Sequence, residues 1–150
     1  MIRLVLFEPD IPQNAGAIMR LAACMGVPLD LIEPCGFPLS DQKLRRSGMD
    51  YLERLDMTRH ASWSAFRKSN ERRLVLLTTL GEVSHAEFSF LSDDSIVVGR
   101  ESAGVPQAVH GAADARIRIP MLAGVRSINV AQAAAIGLAE ALRQTGMLPT

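Results

Sequence analysis

Cysteine, long apolar runs and net charge are what this sequence has least of. The 150 residues include two cysteines, Cys24 and Cys35. They form neither a disulfide framework nor a metal-binding motif, and a reducing cytoplasm is the simplest home. No apolar stretch is long enough to span a bilayer. The opening MIRLVLFEPD lacks the layout of a signal peptide and is expected to be a first strand. There is no GxSxG, CxxC or HExxH, so hydrolase and metalloenzyme chemistry have no support. GxGxxG and a P-loop lysine are also missing, which argues against a nucleotide-phosphate cradle. His60, His85 and His110 have neither ligand spacing nor a partnered carboxylate pattern, so no metal is expected.

What is present is a globular composition, 48% hydrophobic and 21% charged. A chain of this length is expected to form one domain, residues 1–150, with a sizeable core. The zero net charge conceals an uneven distribution. Residues 41–73 hold nine Lys/Arg against five acids, a local +4, and the rest hold seven against eleven, a balancing −4. A basic middle fits either a docked polyanion or a solvated surface.

Short apolar runs alternate with helical patterns. Strands are expected at Ile2–Phe7, Leu29–Ile32, Arg73–Thr79, Ser95–Val98 and Ala115–Ile119. Helices are expected over 15–25, 62–69, 105–112 and 128–144. This order implies an α/β fold, a mainly parallel sheet flanked by helices. Sites in such sheets lie beyond the carboxyl ends of the strands. The loops FEPDIPQN, TTLGEVSH, GRESAGVP and PMLAGVRSIN follow four of the strands and are where chemistry is expected.

Within them, Gly99 and Gly104 permit a tight turn and close backbone approach to a ligand. Glu101 between them is either a substrate contact or an exposed loop acid. On the first helix, Arg20 is expected opposite a stripe of Ile18, Leu21, Ala22 and Met25, beside Gly16 and Ala23. Such an arginine is either an ordinary exposed residue or one approached closely by a ligand or another protein. In VRSINVAQAAAIG, Ser127 reads as the helix N-cap, with Asn129 in the first turn. Behind it Ala131, Ala134, Ala135, Leu138 and Leu142 share one side of the last helix. Asn129, Gln132, Glu140 and Arg143 share the other, interrupted by Ile136.

Three motifs in order, EPDIPQNAGAIMR, GRESAG and IPMLAGVRSINVAQA, resemble the SPOUT superfamily. The similarity is to its small ribose 2′-O-methyltransferases that modify the wobble nucleotide (cytidine or uridine 34) of tRNA. LIEPCGFPLSDQKLRRSGMDY also looks like that subgroup, and the likeness covers nearly the whole chain. It implies a SPOUT-type fold with a deep C-terminal trefoil knot, which sequence physics alone would not suggest. It further implies a homodimer, S-adenosylmethionine as methyl donor, tRNA as partner, and no metal or membrane. By position, Leu77, Gly99, Ile119 and Ser127 would contact the cofactor, and Arg20, Asn14, Glu101, Ser127 and Asn129 match the catalytic or RNA-positioning set. The alternatives are the same chemistry on another RNA such as rRNA, or a non-catalytic RNA-binding protein on the same fold. The chain departs from the subgroup at Arg100, where proline is frequent, and at Ser102-Ala103, where Thr-Arg is frequent. It also has Ala139 where the last helix often carries an aromatic. The missing arginine alters the implied RNA contacts, with Arg100 near enough to compensate.

Overall fold

The computed structural model describes residues 1–40, 42 and 51–150. Its strands are β1 (Arg3–Phe7), β2 (Leu29–Ile32), β3 (Met57–His60), β4 (Leu74–Leu77), β5 (Val83–Ser84), β6 (Ser95–Val98) and β7 (Ala115–Arg118). The helices are α1 (Pro12–Met25), α2 (Trp63–Ser69), α3 (Gln107–Ala112) and α4 (Val130–Thr145), with a 3-10 turn at Leu52–Arg54. The strands form one sheet in the order β3-β2-β1-β6-β4-β7-β5, and every neighbouring pair is parallel.

Side chains on a strand point alternately to opposite faces, so the central strands need apolar residues at every position. Leu4 and Leu6 of β1 join Ile18, Met19 and Ala22 of α1 and Ala134, Leu138 and Leu142 of α4 on one face. Val5 and Phe7 join Phe66 of α2 and Val109 of α3 on the other. The result is a sheet between two helical layers, with α4 packed on α1.

Several boundaries shift from expectation, each for a local reason. β4 stops at Leu77 because the chain turns there, the Gly81 N–H donating to the Thr78 carbonyl at 3.0 Å. β3 and β5 were not foreseen. β3, with sequence MTRH, is an edge strand that exposes Thr58 and Arg59, so it carries no apolar run. β5 has only two residues. The buried face of α1 is Ala15, Gly16, Ile18, Met19 and Ala22, whereas Leu21 and Met25 are only half-buried. Contact with both the sheet and α4 rotates the buried arc away from the stripe expected. Ser127 does not cap α4. Asn129 does, its Oδ1 accepting from the N–H groups of Ala131 at 2.9 Å and Gln132 at 3.3 Å.

Candidate functional site

The polypeptide leaves β1 through Glu8, whose φ of 42° is left-handed, and this turn directs Pro9–Asn14 across the carboxyl edge of the sheet. The loops after β4, β6 and β7 end at the same edge, next to the point where β6 lies between β1 and β4. They enclose a cleft of about 630 Å³. That volume suits a small-molecule ligand, for which roughly 300–1,000 Å³ is typical.

Seven of the residues expected at the site line this cleft: Asn14, Leu77, Gly99, Glu101, Ile119, Ser127 and Asn129. They come from the start of α1, the end of β4 and the loops after β6 and β7. Arg20 is not among them. It is exposed on α1, with its guanidinium 4.7 Å from the centroid of the Tyr51 ring and Nη2 3.5 Å from the Tyr51 hydroxyl. Within one chain, therefore, the cleft and Arg20 are separate.

The GRESAG loop is closed by reciprocal backbone hydrogen bonds between Arg100 and Gly104, at 3.0 and 2.9 Å. Gly104 takes φ +61°, and a Cβ on Gly99 would come within 2.8 Å of the Gly104 backbone. Both glycines are therefore required by geometry, and their bare backbone forms one cleft wall. Leu76, Leu77, Ile119 and Met121 supply apolar surface, and Arg126 and Arg100 supply positive charge. Arg100 is partly committed: it lies 3.6 Å from the Glu8 carboxylate and over the Phe7 ring.

A polar chain runs along the cleft floor. The Asn129 amide donates to Asn14 Oδ1 at 2.8 Å. The Asn14 side chain in turn contacts the Glu101 carboxyl. Glu101 meets Asp10, which accepts from the Glu101 backbone N–H at 3.2 Å and from the Ser102 hydroxyl. Contact with Glu101 lowers Asp10 to a pKa of about 2. Burial, and then contact with Asp10, raises that of Glu101 above the usual glutamate range. Asp10 is thus held below, and Glu101 above, the ordinary carboxylate range, as expected where two carboxyls share one site.

Asp10 joins the polar chain of the cleft and Tyr51 meets Arg20 outside it, and neither contact is expected from the sequence. Asp10 lies inside the EPDIPQN motif, but nothing in its spacing reveals a partner 91 residues away. The basic stretch also looks different in three dimensions. Arg59 pairs with Glu33, Arg72 binds the carbonyls of Met1 and Asp93, and Arg73 binds Asp94. Arg72 and Arg73 precede β4, at the opposite end of the sheet from the cleft. Lys43, Arg45 and Arg46 lie outside the described residues. Among the described residues, no group of three or more His, Cys, Asp or Glu side chains is placed to hold a metal ion, and no helix is long and apolar enough to cross a membrane.

Comparison with known proteins matches residues 1–139 to the SpoU rRNA methylase family. A tRNA (cytidine(34)-2′-O)-methyltransferase from Ancylobacter novellus is 56% identical over 148 residues, covering 97% of this chain and 94% of that protein. A solved structure concerned with 2-OH methylation of C/U34 on tRNA superposes with a TM-score of 0.90 at 42% identity, covering 96% of this chain and 95% of the other. The SpoU methyltransferase AviRb from Streptomyces viridochromogenes, solved in complex with the cofactor AdoMet, gives a TM-score of 0.81 at 28% identity. That match covers 95% of this chain and 57% of AviRb. With residues 1–139 matched to the family and relatives this similar over nearly the whole chain, this chain belongs to the SpoU methylase family.

Proposed function

We propose that this protein is a cytoplasmic, single-domain tRNA methyltransferase that modifies the ribose 2′-hydroxyl of wobble nucleotide 34, with S-adenosylmethionine as donor. The observation that carries the reading is the convergence of Asn14, Glu101, Ser127 and Asn129 from three motifs on one cleft. The activity named for the similar proteins supports the choice of nucleotide.

The cleft residues fit the donor. Leu77, Gly99, Ile119 and Ser127 would hold it, largely through backbone and apolar contact, and Gly99 lets the loop close against Gly104 and Val105, where a Cβ would clash. When bound, S-adenosylmethionine supplies a methyl group already activated on a sulfonium. The protein must then hold the ribose hydroxyl in line, and the hydroxyl proton would pass to solvent as the new O–C bond forms and the sulfonium S–C bond breaks. Asn14 and Asn129, locked to each other, would orient the ribose from the cleft floor. Arg126 and Arg100 would take flanking phosphates.

Arg20 would orient the hydroxyl and its adjacent phosphate. A guanidinium stays protonated far above neutral pH, so orientation is a more natural role for it than that of a base. Since Arg20 stands outside its own cleft, it would serve the cleft of a second subunit. In this reading α1 and α4 form a homodimer interface, where Ala17, Ile136 and Ala139 are exposed. The segment between β7 and α4 would form part of a C-terminal trefoil knot.

The test is transfer of labelled methyl groups to total tRNA and, in parallel, to ribosomal RNA, followed by mass-spectrometric mapping of the product. Label at ribose 34 of tRNA is the expected result. Label confined to ribosomal RNA would keep the chemistry and change the substrate, and no label in either would leave an RNA-binding role.

A further inference from the structure

The polar chain on the cleft floor has a direction. Asn129 Oδ1 accepts two N–H groups of α4, so its amide nitrogen must face Asn14. Asn14 answers with Oδ1 and turns its own amide toward Glu101. Glu101 Oε2 is buried and finds no hydrogen-bond partner. As part of an ionised carboxylate, that oxygen would be a bare acceptor, which is costly away from water. Asp10, meanwhile, is already surrounded by donors, the Glu101 N–H and the Ser102 hydroxyl, both of which favour its ionised form.

We propose that Asp10 is a positioning residue of the methyl-transfer site: its carboxylate gathers the Glu101 amide, the Ser102 hydroxyl and the Glu101 carboxyl, and so fixes Glu101 as a hydrogen-bonding acid rather than a free carboxylate. The proposal rests on the functional reading above. A proton on the Glu101 carboxyl would remove the unmet acceptor and let that carboxyl donate to Asp10, with which it is in contact. The raised Glu101 and lowered Asp10 titrations run in the directions this arrangement requires. The nearby charged groups Glu8 and Arg100 pair with one another at 3.6 Å.

The consequence for the reaction is twofold. The Glu101 side chain adds no second negative charge to a cleft that must admit an RNA phosphate. Its geometry is also set from the far side by Asp10, which in turn sets the Asn14 amide beside the ribose. Ser102 supplies the hydroxyl that Asp10 accepts.

The test uses the full-length protein labelled with ¹³C at aspartate and glutamate side-chain carboxyls. The Glu101 carboxyl should titrate above the usual glutamate range, and Asp10→Ala should move its midpoint down, back toward ordinary values. In methyl transfer, Asp10→Ala should lower kcat by about 10², the scale expected when a positioned group is slightly displaced. Affinity for S-adenosylmethionine should stay within about twofold by the same logic. Asp10→Glu should recover most of the rate. A Glu101 midpoint at the ordinary value, unmoved by Asp10→Ala, would overturn the proposal, as would an unchanged kcat. If Asp10→Ala fails to fold, the titration of the unaltered protein and the rate of Asp10→Glu decide. Should the unaltered protein transfer no methyl to tRNA, the functional reading fails, and the titration still reports the Asp10–Glu101 pairing.

Discussion

Asn129 and Asn14, 115 residues apart in sequence, are joined by a 2.8 Å side-chain hydrogen bond that ties the start of α4 to the start of α1. The same Asn129 side chain caps α4 with its oxygen. One residue thus ends a helix on one side and orders a cleft wall on the other.

These two duties can be separated. Asn129→Asp keeps a good cap but has no amide to donate to Asn14. Methyl transfer should fall sharply, with the thermal midpoint nearly unchanged. Asn129→Ala should lose both, with a stability cost of about 1 kcal/mol for the missing cap. Thermal melts beside rate measurements check this. Equal destabilisation by the two variants would mean that the Asn14 contact is structural.

The separation of Arg20 from its own cleft predicts complementation. Arg20→Ala should lose about 10²–10⁴ in rate while cofactor affinity and dimer mass survive. Arg20→Lys should recover little, because an ammonium cannot reproduce the planar fork or its stacking on Tyr51. Gly99→Leu should disable the cofactor loop, because its side chain would collide with the Gly104 backbone. Heterodimers of Arg20→Ala and Gly99→Leu chains should regain part of the activity, since one cleft then has both a working loop and a working arginine. Verified heterodimers without recovery would mean that Arg20 acts within its own chain.

The two cleft carboxyls act in opposite directions on stability against pH. Asp10, lowered from 3.8 to about 2, contributes stability that is complete above its unfolded value and lost as pH falls through the folded one. Glu101 is raised. Above its ordinary 4.5 the unfolded chain releases a proton that the folded protein retains, so stability declines as pH rises until folded Glu101 ionises. Glu101→Gln removes that decline. Its stability relative to the unaltered protein should grow as pH rises above the ordinary glutamate value of 4.5, as read from denaturant midpoints. A constant difference across that range would show that Glu101 titrates normally.

Asp94 is fully buried and receives both Arg73 Nε and Nη2 at 2.7 Å, together with the Leu91 N–H at 2.9 Å. Arg73 also lies over the Phe88 ring, 5.0 Å from its centroid. Removing Asp94 leaves the Leu91 N–H without its acceptor and a part-exposed Arg73 without its counter-charge. Asp94→Ala should therefore cost about 1–3 kcal/mol, measured by urea unfolding. The pair lies at the amino end of the strands, so cofactor affinity should survive wherever the variant remains folded.

Arg45 and Arg46 are expected to contact tRNA phosphates. Replacing both with alanine should weaken tRNA binding and flatten its dependence on salt, with cofactor affinity held. Unchanged tRNA affinity at low and moderate salt would mark the stretch as a solvated face.

How much of this was legible in sequence depends on how local each signal is. The central strands are readable because burial on both faces demands unbroken apolar runs such as LVLF and SIVV. The edge strand MTRH is not, because one exposed side removes the run. The three motifs could be placed at strand ends, since chain order and parallel pairing send their loops to one edge of the sheet. Helix capping misled: Ser127 and Asn129 both suit an N-cap, and only the backbone path between Ile119 and Val130 selects Asn129. The amino-acid order by itself determined the α/β class and gathered Asn14, Glu101, Ser127 and Asn129 at one edge. Tertiary structure alone decided that Arg20 leaves that group to stack on Tyr51 and that Asp10 enters it. Both outcomes depend on the direction of side chains brought together across long loops, and no sequence period encodes that direction.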